Sequence, residues 1–332
     1  MTVEHGGTDD GPTPRVDAST NANPYGPSPM ALAAMDSAIG PYPDPAATST
    51  RRTLASHHGA SPDEVVIGAG ATELIDRLVR VIGGPVLVED VTFGEYAGAA
   101  ARHGVPVHSA SRAGFAQALD GAALAFVCSP GNPDGEVRDQ VWADEVATAA
   151  AASGTTLVWD LAYAPLVPDP VPVPSVAVAL HAPNKAHGCT GLRAGWLRAP
   201  ADLAQRLRAA AVTWVVSAPG LTFLAATATH GADAWVAEQR ARLLADIDAL
   251  VDALVGLGLD VRAGAAPFAL VRVPAPWSAR DLAAVLRDEH GVKVRPTDSM
   301  GRPGWVRVAA VPAADRDVLV DAFASALARS AT

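Results

Sequence analysis

Hydrophobic and polar positions follow two regimes along the 332 residues. From Val65 to about residue 200, short apolar runs at 65–67, 86–89, 106–109, 123–128, 156–160, 176–180 and 194–198 alternate with helical stretches at 71–83, 94–103 and 139–153. Runs such as ALAFVC and VAVAL are apolar at every position, so both faces need cover. That alternation predicts an α/β fold with a mostly parallel sheet flanked by helices. Residues 168–174 (PDPVPVP) are too poor in N–H donors for a sheet and read as a loop. Beyond 200 a long helical region, about 201–256, carries the periodicity of a connecting helix and ends at Gly256 and Gly258. The segments LDVRAG, FALVRV, 278–290, VKVRPT, WVRVAAV and 313–329 then read as a small α+β domain. Before Val65 proline dominates: an extended arm at 17–29, a helix at 30–38, the extended Pro41-Tyr42-Pro43-Asp44-Pro45, and a helix at 48–58. The expected organisation is a disordered tail (1–15), an arm packing with the small domain (16–40), a large domain (41–225), and the connecting helix with a small C-terminal domain (226–332).

Composition narrows the function class. With 49% hydrophobic and 18% charged residues, the chain reads as a soluble globular enzyme. A net charge of −10 without a basic stripe argues against a nucleic-acid partner. Cys128 and Cys189 fit no metal spacing and suit a reducing cytoplasm, and no metal is expected. The polar, acidic N-terminus lacks the pattern of a signal peptide, and no apolar run approaches membrane-spanning length.

Ligands of open parallel sheets bind beyond the carboxyl ends of the strands, so the residues just after each apolar run carry the candidate chemistry. Gly68-Ala-Gly70-Ala71-Thr72 opens a helix and can turn N–H groups toward a phosphate. Phe93 can stack on a flat ring, and the amide of Asn132 can donate to a phenolate oxygen. Asp160 can pair with a protonated pyridine nitrogen, with Tyr163 close behind it. Lys185 stands alone after 176–180 and can form a Schiff base with pyridoxal phosphate, and Arg193 offers a fork of donors to the phosphate. Each residue alone has a plain structural use as a turn or cap; together they supply every contact that such a cofactor needs.

The order of these motifs resembles the fold-type I pyridoxal-phosphate enzymes, aminotransferase classes I and II, and within them the histidinol-phosphate aminotransferase and threonine-phosphate decarboxylase branch. The resemblance rests on Asn21-Ala-Asn23-Pro24-Tyr25-Gly26, Tyr42-Pro43-Asp44, Gly68-Ala-Gly70-Ala-Thr-Glu, Asn132-Pro133-Asp-Gly135, Asp160-Leu-Ala-Tyr163, Lys185 with Gly191-Leu-Arg193, and Arg307 in Trp-Val-Arg-Val. It covers about residues 16–327. It implies a large domain with a seven-stranded type of sheet, a small domain completed by the N-terminal arm, and an aminotransferase acting on an amino acid or amino phosphate. Lys185, Asp160 and Tyr163 would be catalytic. Gly70, Ala71, Thr72, Phe93, Asn132, Asn184 and Arg193 would hold the cofactor. Asn23, Tyr25, Arg295 and Arg307 would meet the substrate. Tyr42 would reach the cofactor phosphate of a neighbouring subunit, which implies a homodimer with shared sites.

Three departures stand out. Asn184, after Pro183, occupies the position where the family has a serine that donates to the phosphate. Pro267-Phe268 stands for the usual Asn-Phe, and the stretch between Tyr163 and Lys185 is short. Loss of that Asn keeps decarboxylation of an amino acid phosphate open as an alternative. A nicotinamide dehydrogenase, suggested by Gly68-x-Gly70, fails at Glu73, where a third glycine belongs. A ligand sensor lacks the basic head that such regulators carry.

Overall fold

A computed structural model describes residues 6–36 and 39–329. Strands β2 (Val65–Gly68), β3 (Val86–Glu89), β4 (Val107–Ala110), β5 (Leu124–Cys128), β6 (Thr156–Asp160), β7 (Val178–His181) and β8 (Gly195–Arg198) form one seven-stranded sheet, after a short β1 (Val16–Asp17) in the arm. Its order is β2-β8-β7-β6-β5-β3-β4; β8 runs antiparallel to both neighbours and the other pairings are parallel. The mostly parallel sheet expected from the apolar runs is therefore present, with the runs displaced by at most two residues.

Period-two alternation decides which helix each side chain meets. Leu124, Phe126 and Cys128 of β5 face a core with Leu74, Ile75 and Leu78, whereas Ala125 and Val127 face Phe115, Ala143 and Val146. After α1 (Pro29–Met35) and α2 (Thr48–His57), helices α3 (Ala71–Ile82), α4 (Glu95–Arg102), α5 (Gln140–Ser153) and α6 (Ala201–Ala209) cover the sheet. Each fully buried Phe, Leu or Val contributes roughly 1.5–3 kcal/mol of transfer free energy. α5 starts where Asp139 accepts from the N–H of Trp142 and stops at left-handed Gly154.

A second, four-stranded sheet has the order β12-β13-β10-β9, with β9 (Val261–Ala263), β10 (Phe268–Arg272), β12 (Arg295–Pro296) and β13 (Trp305–Ala309). The arm joins this half of the molecule by pairing β1 with β11 (Val292–Lys293) in parallel. Helices α7 (Ala218–Thr227), α8 (His230–Gly256), α9 (Ala279–His290) and α10 (Ala313–Arg329) complete the chain.

Two expectations are corrected. The region 201–256 is three helices, α6, α7 and α8. Ser217 caps α7 by accepting from the Gly220 N–H, Pro219 lies in its first turn, and Thr229 caps α8 by accepting from the Ala232 N–H. These local start signals override the continuous apolar periodicity. The tail expected to be disordered is placed from residue 6 onward, with residues 1–5 outside the described residues. The carboxylate of Asp9 bonds Arg287 and Lys293, and the Lys293 ammonium also donates to the carbonyl of Gly7. A composition reading does not foresee cations supplied by α9 and β11. The helix expected at 30–38 ends at Met35; residues 37 and 38 lie outside the described residues.

Candidate active site

The carboxyl ends of the central strands and the small sheet enclose a cavity of about 410 Å³. Thr72, Phe93, Asn132, Tyr163, Lys185 and Arg193 form one wall; Ser19, Asn21, Arg295 and Arg307 form the other.

Lys185 lies in the turn after β7, and the arm holds that turn. The Asn23 N–H donates to the Lys185 carbonyl at 2.9 Å, and the Asn23 amide donates to the Ala186 carbonyl at 3.0 Å. A Cβ on Gly188 would lie 2.5 Å from the Asn23 carbonyl oxygen and 2.6 Å from the Gly26 Cα, so only glycine permits this approach, and its φ of +60° suits glycine as well. The ammonium sits 5.8 Å from the Tyr163 ring centre. Burial first, then repulsion from Arg307 and Arg193, brings the Lys185 pKa down to about 8. At pH 7 about a tenth is therefore free amine, a share that grows as the pH approaches 8.

Asp160 ends β6 and is buried. Its carboxylate accepts from the Tyr96 hydroxyl at 2.8 Å and from the Ala162 N–H at 2.9 Å. Burial raises its pKa despite these bonds, and a cation placed beside it would offset that cost. Tyr96, also fully buried and stacked on Phe126 at 4.6 Å, fixes the orientation of the carboxylate.

Gly70 precedes α3 with φ +85°, and a Cβ there would lie 2.7 Å from Nη2 of Arg193. Arg193 is itself left-handed and donates through Nη1 to the Thr190 carbonyl at 3.0 Å. The first-turn N–H groups of a helix have no intrahelical acceptor, so Ala71 and Thr72 beside this guanidinium form an anion cup.

On the opposite wall Arg307 is buried, donating to the Asn132 side-chain oxygen at 2.5 Å and to the Ser19 carbonyl at 2.8 Å. With its oxygen so engaged, the Asn132 amide presents its N–H₂ as donor. Burial lowers the Arg307 pKa to about 10, whereas burial pushes the Tyr163 phenol up to about 12. Arg295 is the cross-strand partner of Arg307, so both arginines belong to one face of the small sheet.

The expected residues separate into three groups. Thr72, Phe93, Asn132, Tyr163, Lys185, Arg193, Arg295 and Arg307 line the cavity, with Gly70, Ala71 and Asp160 immediately behind them. Asn23 braces the lysine turn instead of facing a ligand, and buried Asn184 is absent from the lining. Tyr25 and Tyr42 lie elsewhere. The Tyr25 hydroxyl donates to Asp246 under the Arg242 guanidinium, and exposed Tyr42 stacks on Trp214 at 4.3 Å. Sequence reasoning passed over Tyr96 as the partner of Asp160, and assigned no role to Asn21 or Ser19. For Asn21 a signal existed, two asparagines before a proline turn; for Tyr96 and Ser19 none did.

Pyridoxal phosphate fits what is present. Among the lining residues, both amide atoms of Asn21 and Nε of Arg307 are buried without a hydrogen-bond partner. Leaving such groups unpaired is costly, and their place on the cavity wall suits a polar ligand. The anion cup, Phe93, Asp160 and Lys185 match the phosphate, ring, ring nitrogen and aldehyde of the cofactor.

Residues 13–323 match the family described as aminotransferase class I and II. The histidinol-phosphate aminotransferase of Roseiflexus castenholzii is 30% identical over 92% of this chain and 88% of its own. That of Anaeromyxobacter sp. is 31% identical over 87% and 85%. Among solved structures, histidinol-phosphate aminotransferase from Sinorhizobium meliloti in complex with pyridoxal-5'-phosphate superposes with a TM-score of 0.83, at 23% identity and covering 96% and 92%. L-threonine-O-3-phosphate decarboxylase from Porphyromonas gingivalis gives 0.83 at 21% identity, covering 94% and 99%. The two structures share the fold. The chain belongs to the class I and II aminotransferases and is a pyridoxal-phosphate-dependent enzyme.

Proposed function

We propose that the enzyme moves an amino group between an amino acid or amino phosphate and a keto acid, with Lys185 as the proton-carrying amine. The observation that carries this reading is one cavity holding Lys185, at a pKa near 8, and Arg193 on one wall with Asp160 behind it, and Arg307 with Arg295 on the other. When bound, pyridoxal phosphate supplies an electrophilic carbon for the substrate amine and a ring that accepts electron density from Cα.

The chain's own residues do the rest. Gly70, Ala71, Thr72 and Arg193 anchor the phosphate. Asp160, steadied by Tyr96, holds a proton at the ring nitrogen, and Asn132 and Tyr163 address the phenolic oxygen. The Lys185 amine takes a proton from Cα and returns it on the other side of the exchange. Arg307 grips the substrate carboxylate with its fork, and Arg295 meets a second anionic group. Asn23 acts indirectly, by fixing the lysine turn.

The active species in this reading is a cytoplasmic homodimer. Leu32, Met35, Ile39, Tyr42, Val212 and Trp214 are exposed, an apolar set that a second copy would cover. Tyr42 then serves the partner's phosphate. A mixture of inactive Lys185→Ala and Tyr42→Phe chains should regain activity in the heterodimer; an active monomer by sedimentation contradicts the assignment.

Decarboxylation of an amino acid phosphate is the second reading, and one observation favours it. Pro267 offers Arg307 no side-chain amide, so the in-plane grip on a carboxylate rests on Asn132 and the arginine alone. A screen of amino acids and amino phosphates, with mass spectrometry of the products, separates the two.

A further inference from the structure

Away from the cavity, His57 closes α2, and His230 and Asp233 stand three residues apart in the first turn of α8. Among the described residues these three offer ligand atoms within 4.8 Å of one another. Nε2 of His57 is 3.2 Å from Oδ2 of Asp233, and Nδ1 of His230 is 3.9 Å from the same oxygen. The two imidazole rings are 5.8 Å apart.

We infer that His57, His230 and Asp233 form a binding site for a first-row divalent cation of the zinc type. Two imidazole nitrogens and one carboxylate oxygen suit such an ion better than Mg²⁺ or Ca²⁺, which prefer oxygen. Metal–ligand bonds of about 2.0–2.1 Å in tetrahedral array set neighbouring ligand atoms roughly 3.3 Å apart. The His57–Asp233 pair already has that spacing. The His230 side chain is fully exposed and can turn the remaining distance without disturbing the core. The fourth position is left to water. The positive end of α8 opposes a cation here, and the Asp233 carboxylate in the same turn offsets it.

Without an ion, these groups form only an Asp–His pair with a second imidazole nearby. With one, α2 is tied to α8. Trp235, in the next positions of α8, stacks on His187 at 5.5 Å, two residues after Lys185, so the tie stiffens the support of the lysine turn. His57 lies far in sequence from the His230–Asp233 pair, which hides the full set from any spacing motif.

The test is calorimetric titration of the untagged holoenzyme with Zn²⁺, with thermal unfolding measured alongside. One Zn²⁺ per chain should bind at this site and raise the midpoint, and MgCl₂ should give neither effect. His57→Ala and, separately, His230→Ala should weaken that binding at least about tenfold and remove the shift, as expected for loss of one of three ligands. His108→Ala, on an exposed edge strand, should leave both unchanged. Because His230 is fully exposed, its replacement tests the site without threatening the fold. No zinc uptake by the wild type, or uptake and midpoint shift unchanged in both variants, overturns the proposal.

Discussion

The two walls of the cavity are built in different ways. The wall of Thr72, Phe93, Asn132, Tyr163 and Lys185 comes from residues that follow strands of one sheet, with the Lys185 turn additionally braced by Asn23 of the arm. The wall of Ser19, Asn21, Arg295 and Arg307 is assembled from the arm and the small sheet; Arg307 is fixed by Ser19 and Asn132, 288 and 175 residues away. The first wall is set largely by where the strands of one sheet end, and in the proposed reading it carries the chemistry. The second depends on how distant segments dock, and in the proposed reading it selects the substrate. Substitutions on the first wall should therefore strike turnover, and those on the second the use of a particular donor.

The largest effect is expected at Lys185. Lys185→Ala removes the amine and little core volume, so turnover should fall by at least about 10²–10⁴-fold while the protein still unfolds cooperatively. Thermal unfolding beside steady-state kinetics checks both halves. Asp160→Asn comes next: an amide cannot balance a pyridinium, so kcat should drop by orders of magnitude with cofactor still bound by absorbance. An unchanged rate would reduce Asp160 to a partner of Tyr96. On the second wall, Arg307→Lys keeps charge and loses the fork. It should lower kcat/KM for the amino donor by about 1–3 kcal/mol and spare cofactor affinity; an equal loss of cofactor binding would erase the division between the walls.

The smallest effect concerns stability. In the cofactor-free protein Lys185 titrates at about 8, against 10.5 for an ordinary lysine. Between those values the unfolded chain binds more protons than the folded one, so the contribution of this residue to stability rises with pH across that window. Below about pH 8 the full penalty of a buried charge remains. Lys185→Met should raise the midpoint at pH 7 and flatten that rise, which denaturant titrations at pH 7 and 10 will show.

The sequence made the first wall legible because its signals are local: an apolar run ends, and the next polar residue faces the ligand. It made the sheet legible for the same reason, since buried parallel strands are apolar at every position. It misjudged 201–256 because the caps at Ser217 and Thr229 are single residues within a continuous apolar periodicity. The packed segment 6–15 escaped it because Asp9 finds its cations on α9 and β11. Tyr25, which lies off both walls, is the instructive case. The motif placed it near the substrate, yet its hydroxyl is committed to Asp246 of α8, a contact between residues 221 positions apart that no local pattern encodes.

The most direct test of amino transfer through Lys185 is a product balance. Wild type and Lys185→Ala are incubated with an amino donor found by the screen and a keto acid, and new amino acid, new keto product and carbon dioxide are measured together. The account predicts equal amounts of the first two, no carbon dioxide, and no product from Lys185→Ala. Carbon dioxide released without consumption of keto acid, or near-native turnover by Lys185→Ala, would contradict it.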